Sequence, residues 1–378
     1  MLFSYIYSHR DGDSRNFFDI GPDTFTTDNP LLQDTNQFET QYIFKQDWFN
    51  VVAGFSYSHI DTTENVAVTV DGIPLPSNEQ NFGTDDFRGY AYANINIPKS
   101  VTWTVGVSYA HFDEARQPPT EVGKVNPKFG VQWDITSDLR FRAAYIETVK
   151  PSLAANRTLE PTEVAGFNQF FDEVNGTKSC RYGVGLDWQA TPDLAIGAEM
   201  TWRNIGEPFI DASGAVPVVI QDDASERLHQ VYLYWTPWDE VAVRAGFVYD
   251  KYEKDSAAFS ARVGSDNPLE VDTISVPLSI SYFHPSGFFA TAGVSFVHQK
   301  VERLAIFSNQ GEDSFFVVDA GIGYRFPDRF GIATLTVHNL LNNGFQFQDD
   351  SFREFSDEPT VGPYIPARTI LGRVALSF

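Results

Sequence analysis

The chain has 378 residues, and its 27 Lys and Arg stand against 50 Asp and Glu for a formal charge of −23. Phosphates would be repelled, which excludes a nucleic-acid partner; the single Cys excludes an internal disulfide. No run of about 18 apolar residues offers a transmembrane helix, yet a barrel strand shows lipid only every second side chain and needs no such run. The start, Met1-Leu2-Phe3-Ser4-Tyr5, lacks the basic residues and long apolar core of a secretory signal, so the sequence is expected to be a mature form or an excised domain.

Along the chain, tight polar turns alternate with long polar loops. Turns are expected near Lys45-Gln46-Asp47, Pro98-Lys99-Ser100, Thr136-Ser137-Asp138, Thr191-Pro192-Asp193, Thr236-Pro237-Trp238-Asp239, His284-Pro285-Ser286-Gly287 and Pro327-Asp328-Arg329. Their Pro, Asp, Ser and Gly preset φ or hydrogen-bond the local backbone. Each is flanked by period-two alternation. Phe49, Val51, Ala53, Phe55 and Tyr57 share one face; so do Val101, Trp103, Val105, Val107 and Tyr109, and next Leu139, Phe141, Ala143 and Tyr145. The pattern continues with Tyr182, Val184, Leu186 and Trp188, with Leu194, Ile196, Ala198, Met200 and Trp202, with Val241, Val243, Ala245, Phe247 and Tyr249, and with Val318, Ala320, Ile322 and Tyr324. The last strand places Ile370, Val374, Leu376 and the terminal Phe378 on one side, a finish typical of outer-membrane barrels, and is expected to pair with the first strand around Phe3, Tyr5 and Tyr7. The 86–97 and 228–235 segments alternate ambiguously.

The apolar faces are almost free of charge and end on Trp, Tyr or Phe, as an interfacial aromatic girdle requires. The opposite faces carry Gly, Ser, Thr and charges, which suits a wet lumen; a soluble sandwich would bury its apolar faces instead. Long loops fall near 10–34, 60–85, 112–124, 148–178, 204–225, 252–270, 300–313 and 342–366. Seven turns and eight loops make 16 strands. The fold class is therefore all-β, an antiparallel transmembrane β-barrel in a bacterial outer membrane. Short turns and both termini are expected in the periplasm and long loops outside, with residues 1–378 as one domain.

The inward faces hold the functional candidates. Arg140, Arg142, Arg181, Arg203, Arg244, Arg325 and Arg373 should point into the lumen with Asp187, Glu199, Asp250 and Asp319. Opposed charges set a transverse field that filters solutes; the alternative is that Arg–carboxylate pairs on neighbouring strands satisfy each other and stiffen the wall. The fourth loop carries Phe167, Asn168, Gln169, Phe170 and Phe171 and is long enough to fold inward and constrict the pore, or to pack on the rim. Asp11, Asp13, Asp19, Asp23 and Asp28 in the first loop, and Asp349, Asp350, Glu354, Asp357 and Glu358 in the last, read as solvated surface, since neither loop has the ligand spacing of a calcium loop. The His residues at 9, 59, 111, 229, 284, 298 and 338 show no metal-ligand spacing. No nucleophile motif is present, so neither an enzyme nor a cofactor is expected. Gly183/Gly185 and Gly321/Gly323 read as lumen or curvature glycines.

Val317-Val318-Asp319-Ala320-Gly321-Ile322-Gly323-Tyr324-Arg325-Phe326, then Leu335-Thr336-Val337-His338-Asn339-Leu340-Leu341-Asn342-Asn343, then a loop to the closing strand, resemble the end of the barrel of TonB-dependent outer-membrane receptors. Asn126-Pro127-Lys128-Phe129-Gly130-Val131 through Arg140-Phe141-Arg142-Ala143-Ala144-Tyr145 is similar to the same family. The resemblance implies passage of a solute across the outer membrane. The partners it implies are lipid, lipopolysaccharide, and a periplasmic domain or energy-coupling protein outside this chain. Family members also carry a plug domain, and nothing here resembles one. A second resemblance, to 16-strand barrels linked to tetratricopeptide-repeat exporters, implies instead an export channel for a polymer; a surface-binding barrel acting through its loops is a third reading. If the lumen field matters, neutralising Arg142 and Arg181 shifts the reversal potential in a planar bilayer, and an unchanged potential would count against that field.

Overall fold

Alternation of period two writes strands, and the chain consists of little else. In a computed structural model that describes all residues except 21–22, 155–156, 170–172, 212–213, 215, 255–267, 304–310, 354–362 and 378, the strands are β1 (Leu2–Ile20), β2 (Asp23–Lys45), β3 (Phe49–Val70), β4 (Ile73–Pro74), β5 (Asn78–Ile95), β6 (Val101–Glu114), β7 (Thr120–Asp134), β8 (Leu139–Val149), β9 (Glu163–Val164) and β10 (Phe167–Asn168). They continue as β11 (Lys178–Thr191), β12 (Leu194–Asp211), β13 (Val218–Trp238), β14 (Val241–Lys254), β15 (Glu270–Phe283), β16 (Phe288–Glu302), β17 (Gly311–Arg325), β18 (Gly331–His338) and β19 (Thr369–Leu376). Seventeen form one sheet, and all but the two-residue β4 are eight residues or longer, giving the expected sixteen long strands. The terminal Phe378 lies outside the described residues.

Every pairing is antiparallel and joins neighbours in sequence, with β3 passing to β5 and β8 to β11 across the intervening segments. All seven expected turns fall at junctions between strands, although Thr236, Pro237 and Trp238 still belong to the end of β13, and the ambiguous segments are strand through Ile95 in the first and throughout in the second. Among the described residues β1 pairs only with β2 and β19 only with β18. The expected closure of the last strand onto Phe3, Tyr5 and Tyr7 is thus not seen; each terminal strand satisfies one edge and leaves a seam.

Side-chain direction follows from register, because residues opposite each other share a face. On β6, Trp103, Val105, Val107 and Tyr109 point outward and exposed, while Thr104, Gly106, Ser108 and Ala110 point inward and are buried. Outward Trp103, Trp133, Trp188 and Trp235 form a belt near the short turns; Tyr57, Tyr109, Tyr145 and Tyr182 form another toward the loops. Trp188 and Tyr182 are about 20 Å apart along β11 at about 3.3 Å per residue, with only Val184 and Leu186 outward between them. Aromatic contacts cross the strands on this face: Tyr182 stacks on Trp202 at 5.5 Å, Trp202 meets His229 at 5.1 Å, and His229 stacks on Tyr249 at 5.8 Å.

The loops are shorter than expected. β1 and β2 stay paired through most of the segment 10–34, with β3 on the other edge of β2, which places Asp11, Asp13, Asp19, Asp23 and Asp28 on strands. Cross-strand contacts link β1 to β2, an ion pair of Arg15 with Asp28 and a hydrogen bond between His9 and Asp34 at 2.9 Å. Beyond the bilayer neither face needs to be apolar, so the alternation that marks a strand disappears while the ladder persists.

Inward aromatic rings lie across glycines of the neighbouring strand: Tyr90 over Gly54, Tyr92 over Gly106, Tyr232 over Gly197 and Phe289 over Gly323. A Cβ at Gly106 would sit 2.6 Å from the Tyr92 ring, which no unstrained packing allows. Gly106→Val should destabilise the barrel by about 1–3 kcal/mol, read as a lower midpoint in urea unfolding. Adding Tyr92→Ala should recover less than additive loss, because the clash would be gone.

Candidate functional site

The described part of the segment 150–177, between β8 and β11, folds inward as a long finger against the inner faces of β2, β3, β5, β7, β8, β11 and β12. It descends along β2, β3 and β5. Ser58 Oγ donates to Ser152 O at 2.6 Å, Asp86 accepts from the Ser152 amide at 3.0 Å, and Gln37 takes the Ala154 amide at 2.6 Å while donating to Arg157 O at 2.8 Å. Two residues on, the buried Glu39 carboxylate caps the backbone. It accepts from Thr158 Oγ1 at 3.0 Å, Leu159 N at 2.8 Å, Glu160 N at 3.1 Å and the Tyr90 hydroxyl at 3.1 Å. Gln41 adds a bond to Leu159 O.

Glu160, itself buried, faces β5 and β7, the next part of the same wall. Tyr92 OH donates to it at 2.6 Å, Arg88 lies at 3.4 Å, and Lys128 Nζ lies at 3.9 Å. Arg88 further holds Val149 O at 2.6 Å, and Lys128 holds Ser108 Oγ at 2.8 Å and Glu147 O at 3.1 Å. Two carboxylates and two cations thus meet with their hydrogen-bonding atoms largely used, the condition under which buried charge is tolerated.

The finger then turns back as the hairpin β9–β10. Its corner is Ala165 and Gly166, both at positive φ of 51° and 83°. Gly166 is needed twice: for its backbone conformation, and because a Cβ there would sit 2.9 Å from Arg142 Nη1, which donates to Gly166 O at 3.3 Å. The wall makes room with glycines: Val164 and Ala165 rest on Gly130, and Phe167 rests on Gly183. Leaving the hairpin, Gln169 donates to Tyr92 OH at 3.2 Å, Arg181 donates to Asn168 O at 3.3 Å, and Glu173 pairs with Arg203.

The predicted site residues separate into distinct groups. Phe167, Asn168 and Gln169 lie inside the lumen, Phe167 under the Arg142 guanidinium at 5.0 Å; Phe170 and Phe171 lie outside the described residues. Arg142, Arg181 and Arg203 point inward and fasten the finger while pairing with wall carboxylates. Arg142 lies 2.6 Å from Asp187 and 3.1 Å from Glu199, and Glu226 takes Arg203 at 2.9 Å and Arg181 at 3.7 Å. Neutralising Arg142 or Arg181 therefore removes a fastener as well as a charge. Arg140 pairs with Asp134 at 2.6 Å near a turn. Asp250 is placed inward by its register with Leu228 and Thr273, and Asp319 accepts from the Asn339 amide at 2.9 Å with His338 at 3.4 Å. Arg244, Arg325 and Arg373 lie on the inner face of β14, β17 and β19, away from the finger. Sequence reasoning missed Glu39, Arg88, Lys128, Glu160, Glu173 and Glu226. The available signal was charge at every second position, as in Asp86, Arg88, Tyr90 and Tyr92, which no water-exposed apolar-core strand would place inward.

A second inward segment follows β18. Asn339 and Asn342 take positive φ of 49° and 55°, and the buried Asn339 side chain donates to Asn343 O at 2.8 Å and Ile365 O at 3.3 Å. This knot turns the chain so that Phe345 stacks on Phe315 at 3.9 Å and Gln348 exchanges two bonds with Gln299.

A family model described as TonB dependent receptor-like, beta-barrel matches residues 2–340. No curated protein matches the chain. Among solved structures, the unliganded ferric citrate transporter FecA is similar at a TM-score of 0.64 and 15% identity, over 99% of this chain and 58% of that one. The P. aeruginosa receptor FpvA bound to heterologous pyoverdines is similar at 0.61 and 13%, over 98% and 52%. The copper transporter OprC is similar at 0.63 and 12%, over 94% and 61%. The chain thus spans about half to three-fifths of the length of the structures it matches.

Glu39→Gln would weaken a carboxylate that accepts four hydrogen bonds, at a cost of about 3 kcal/mol as for breaking a buried charged contact. The expected result is faster proteolytic cleavage within 150–177 while the barrel stays folded by its heat-shifted migration in SDS gels. Cleavage at the wild-type rate would show that the cap does not hold the finger.

Proposed function

The chain belongs to the TonB dependent receptor-like β-barrel family, and we propose that it forms the wall of an outer-membrane transporter whose lumen the finger constricts. Residues 1–378 act as one barrel domain, with short turns in the periplasm and long loops outside. Lipid surrounds the outward aromatic belts, and lipopolysaccharide meets the acidic ribbons above them. The cargo is a metal or metal chelate, the type of solute named for the similar ferric citrate and copper transporters, and an energy-coupling protein outside this chain drives its release. The protein's part is passage rather than bond-making chemistry.

One observation carries this reading: a segment of the chain lies against the inner face, fastened by Glu39 of β2, by Arg88 and Tyr92 of β5 through Glu160, and farther round the sheet by Arg142, Arg181 and Arg203. Its hairpin tip buries Val164, Ala165 and Phe167 against the wall, while the rest is held by charge and backbone hydrogen bonds that a competing polar ligand or a pull can exchange. The edges of β1 and β19 also need partners, since unpaired backbone groups are not tolerated in hydrocarbon.

Glu39→Gln combined with Glu160→Gln should release the constriction. Single-channel current in planar bilayers should then rise above wild type, together with sensitivity of cells to a large antibiotic that the intact outer membrane excludes. Currents and sensitivity equal to wild type would argue that the finger does not set the passage.

A further inference from the structure

The inner wall is electrically divided, and only one part of it is spent on the finger. Arg142, Arg181 and Arg203 give their charge to Asp187, Glu199, Glu226 and Glu173. On the other side of the lumen, the turn-side half of β14–β19 carries three arginines with a different surrounding. Arg244 stands opposite Ser279 and lies 5.6 Å from the Tyr234 ring. Arg325 lies 5.0 Å from the Phe283 ring and 5.7 Å from Phe289. Arg373 stands opposite Thr334. Among the described residues none of the three has a carboxylate at ion-pair distance, their described contacts there being aromatic faces and the backbone ladder.

The wall between them is small and hydroxylated. Ser279, Ser281, Thr291, Thr334 and Thr336 share the inward face, with Gly321 and Gly323 keeping it low. Among the described residues one acid shares this turn-side face by register, Glu240 opposite Phe283 just before β14, and neither it nor the next inward carboxylate, Asp319, which is engaged by Asn339 and His338, is at ion-pair distance from the three arginines. In a chain of net charge −23, three cations against one acid on this stretch of inner wall is a local reversal of sign.

We propose that Arg244, Arg325 and Arg373 form an anion-selecting track, along which a negatively charged solute, such as a carboxylate-bearing metal chelate, leaves the lumen on the turn side. The physical basis is that of charged rings in pores: fixed cations beside a narrow aqueous path concentrate anions and repel cations. Ring faces hold the guanidinium groups of Arg244 and Arg325 without neutralising them, so the charge remains available to the solute. The hydroxyls beside them supply hydrogen bonds that slide from one oxygen to the next. This assignment rests on the transporter reading above and refines it by naming the sign of the cargo and the residues that read it.

The test is the reversal potential of the full-length protein in planar bilayers under a potassium chloride gradient, with the Glu39→Gln/Glu160→Gln background where the finger blocks current. Arg244→Gln/Arg325→Gln/Arg373→Gln should lower the chloride-over-potassium preference by about twofold or more, as expected for removing fixed cations screened by water. The three Arg→Glu changes should carry the potential further toward cation preference, and the three Arg→Lys changes should leave it near the parent value, separating charge from shape. Conducting channels whose reversal potential is unmoved by both the Gln and Glu sets would overturn the track while leaving the transporter reading intact. Absence of current from every variant, in proteins shown folded by heat-shifted migration, would overturn both.

Discussion

Hydrocarbon accepts no unpaired backbone group, and this constraint organises the molecule. It requires a continuous antiparallel ladder, and the ladder fixes the period of two that places Trp, Tyr and aliphatic residues outward and Gly, Ser, Thr and charges inward. Pairings follow sequence order throughout, and at the seven short turns nothing else is possible: two to five residues cannot cross a barrel, only reverse direction. The seam between β1 and β19 shows the same constraint from its unsatisfied side. Their free edges are rows of donors and acceptors that lipid would not tolerate, so pairing there is a requirement of the membrane and not an option of the sequence.

Inside the wall the physics inverts. A lumen lined largely by polar faces offers only local apolar clusters, such as Val164, Ala165 and Phe167 against Ala144 and Ile146, so much of its contents is held by direction and charge. The finger meets that requirement in three ways. Wall glycines at 130 and 183 give it room, Glu39 caps its backbone, and Arg88, Lys128 and Glu160 balance charge within a few ångströms. The rings of Tyr90 and Tyr92 serve both wall and finger, each covering a glycine of the adjacent strand while its hydroxyl reaches a finger-holding carboxylate. Wall stiffness and finger position are therefore coupled through the same two side chains.

The strand number, the turns and the inward direction of the arginines were legible in the sequence, because lipid leaves a periodic record on one face of every strand. The long polar ribbons were not. Between residues 10 and 34 both faces of β1 and β2 meet water, so a real ladder such as Arg15 against Asp28 leaves no apolar stripe to read. The finger was legible only in part: Phe167 beside Asn168 and Gln169 marked a loop able to turn inward, while its fasteners are scattered over β2, β5, β7 and β12 and meet only through the fold. Glu39 and Glu160 are 121 positions apart, and no local pattern links them. Paired and unpaired arginines look alike in sequence, since the distinction depends on whether a carboxylate stands on the next strand.

The strength of the finger's attachment has a consequence for its movement. Buried ion pairs gain little net stability, because desolvation offsets most of the attraction, although removing one partner is costly. The finger is tethered at both ends by β8 and β11, so its return to the lumen is a loop closure whose entropy grows only slowly with length. Such an element re-seats readily once freed, yet it gives way to a ligand that supplies equivalent partners for Arg88, Lys128 and Arg203, which lose Glu160 and Glu173 when the finger leaves. An anionic solute supplies those partners, whereas a neutral one leaves Arg88 and Lys128 without their carboxylate. The same sign of charge that would slide along Arg244, Arg325 and Arg373 would thus also be the sign that replaces Glu160 and Glu173, so displacement of the finger and selection of the cargo would share one electrostatic cause.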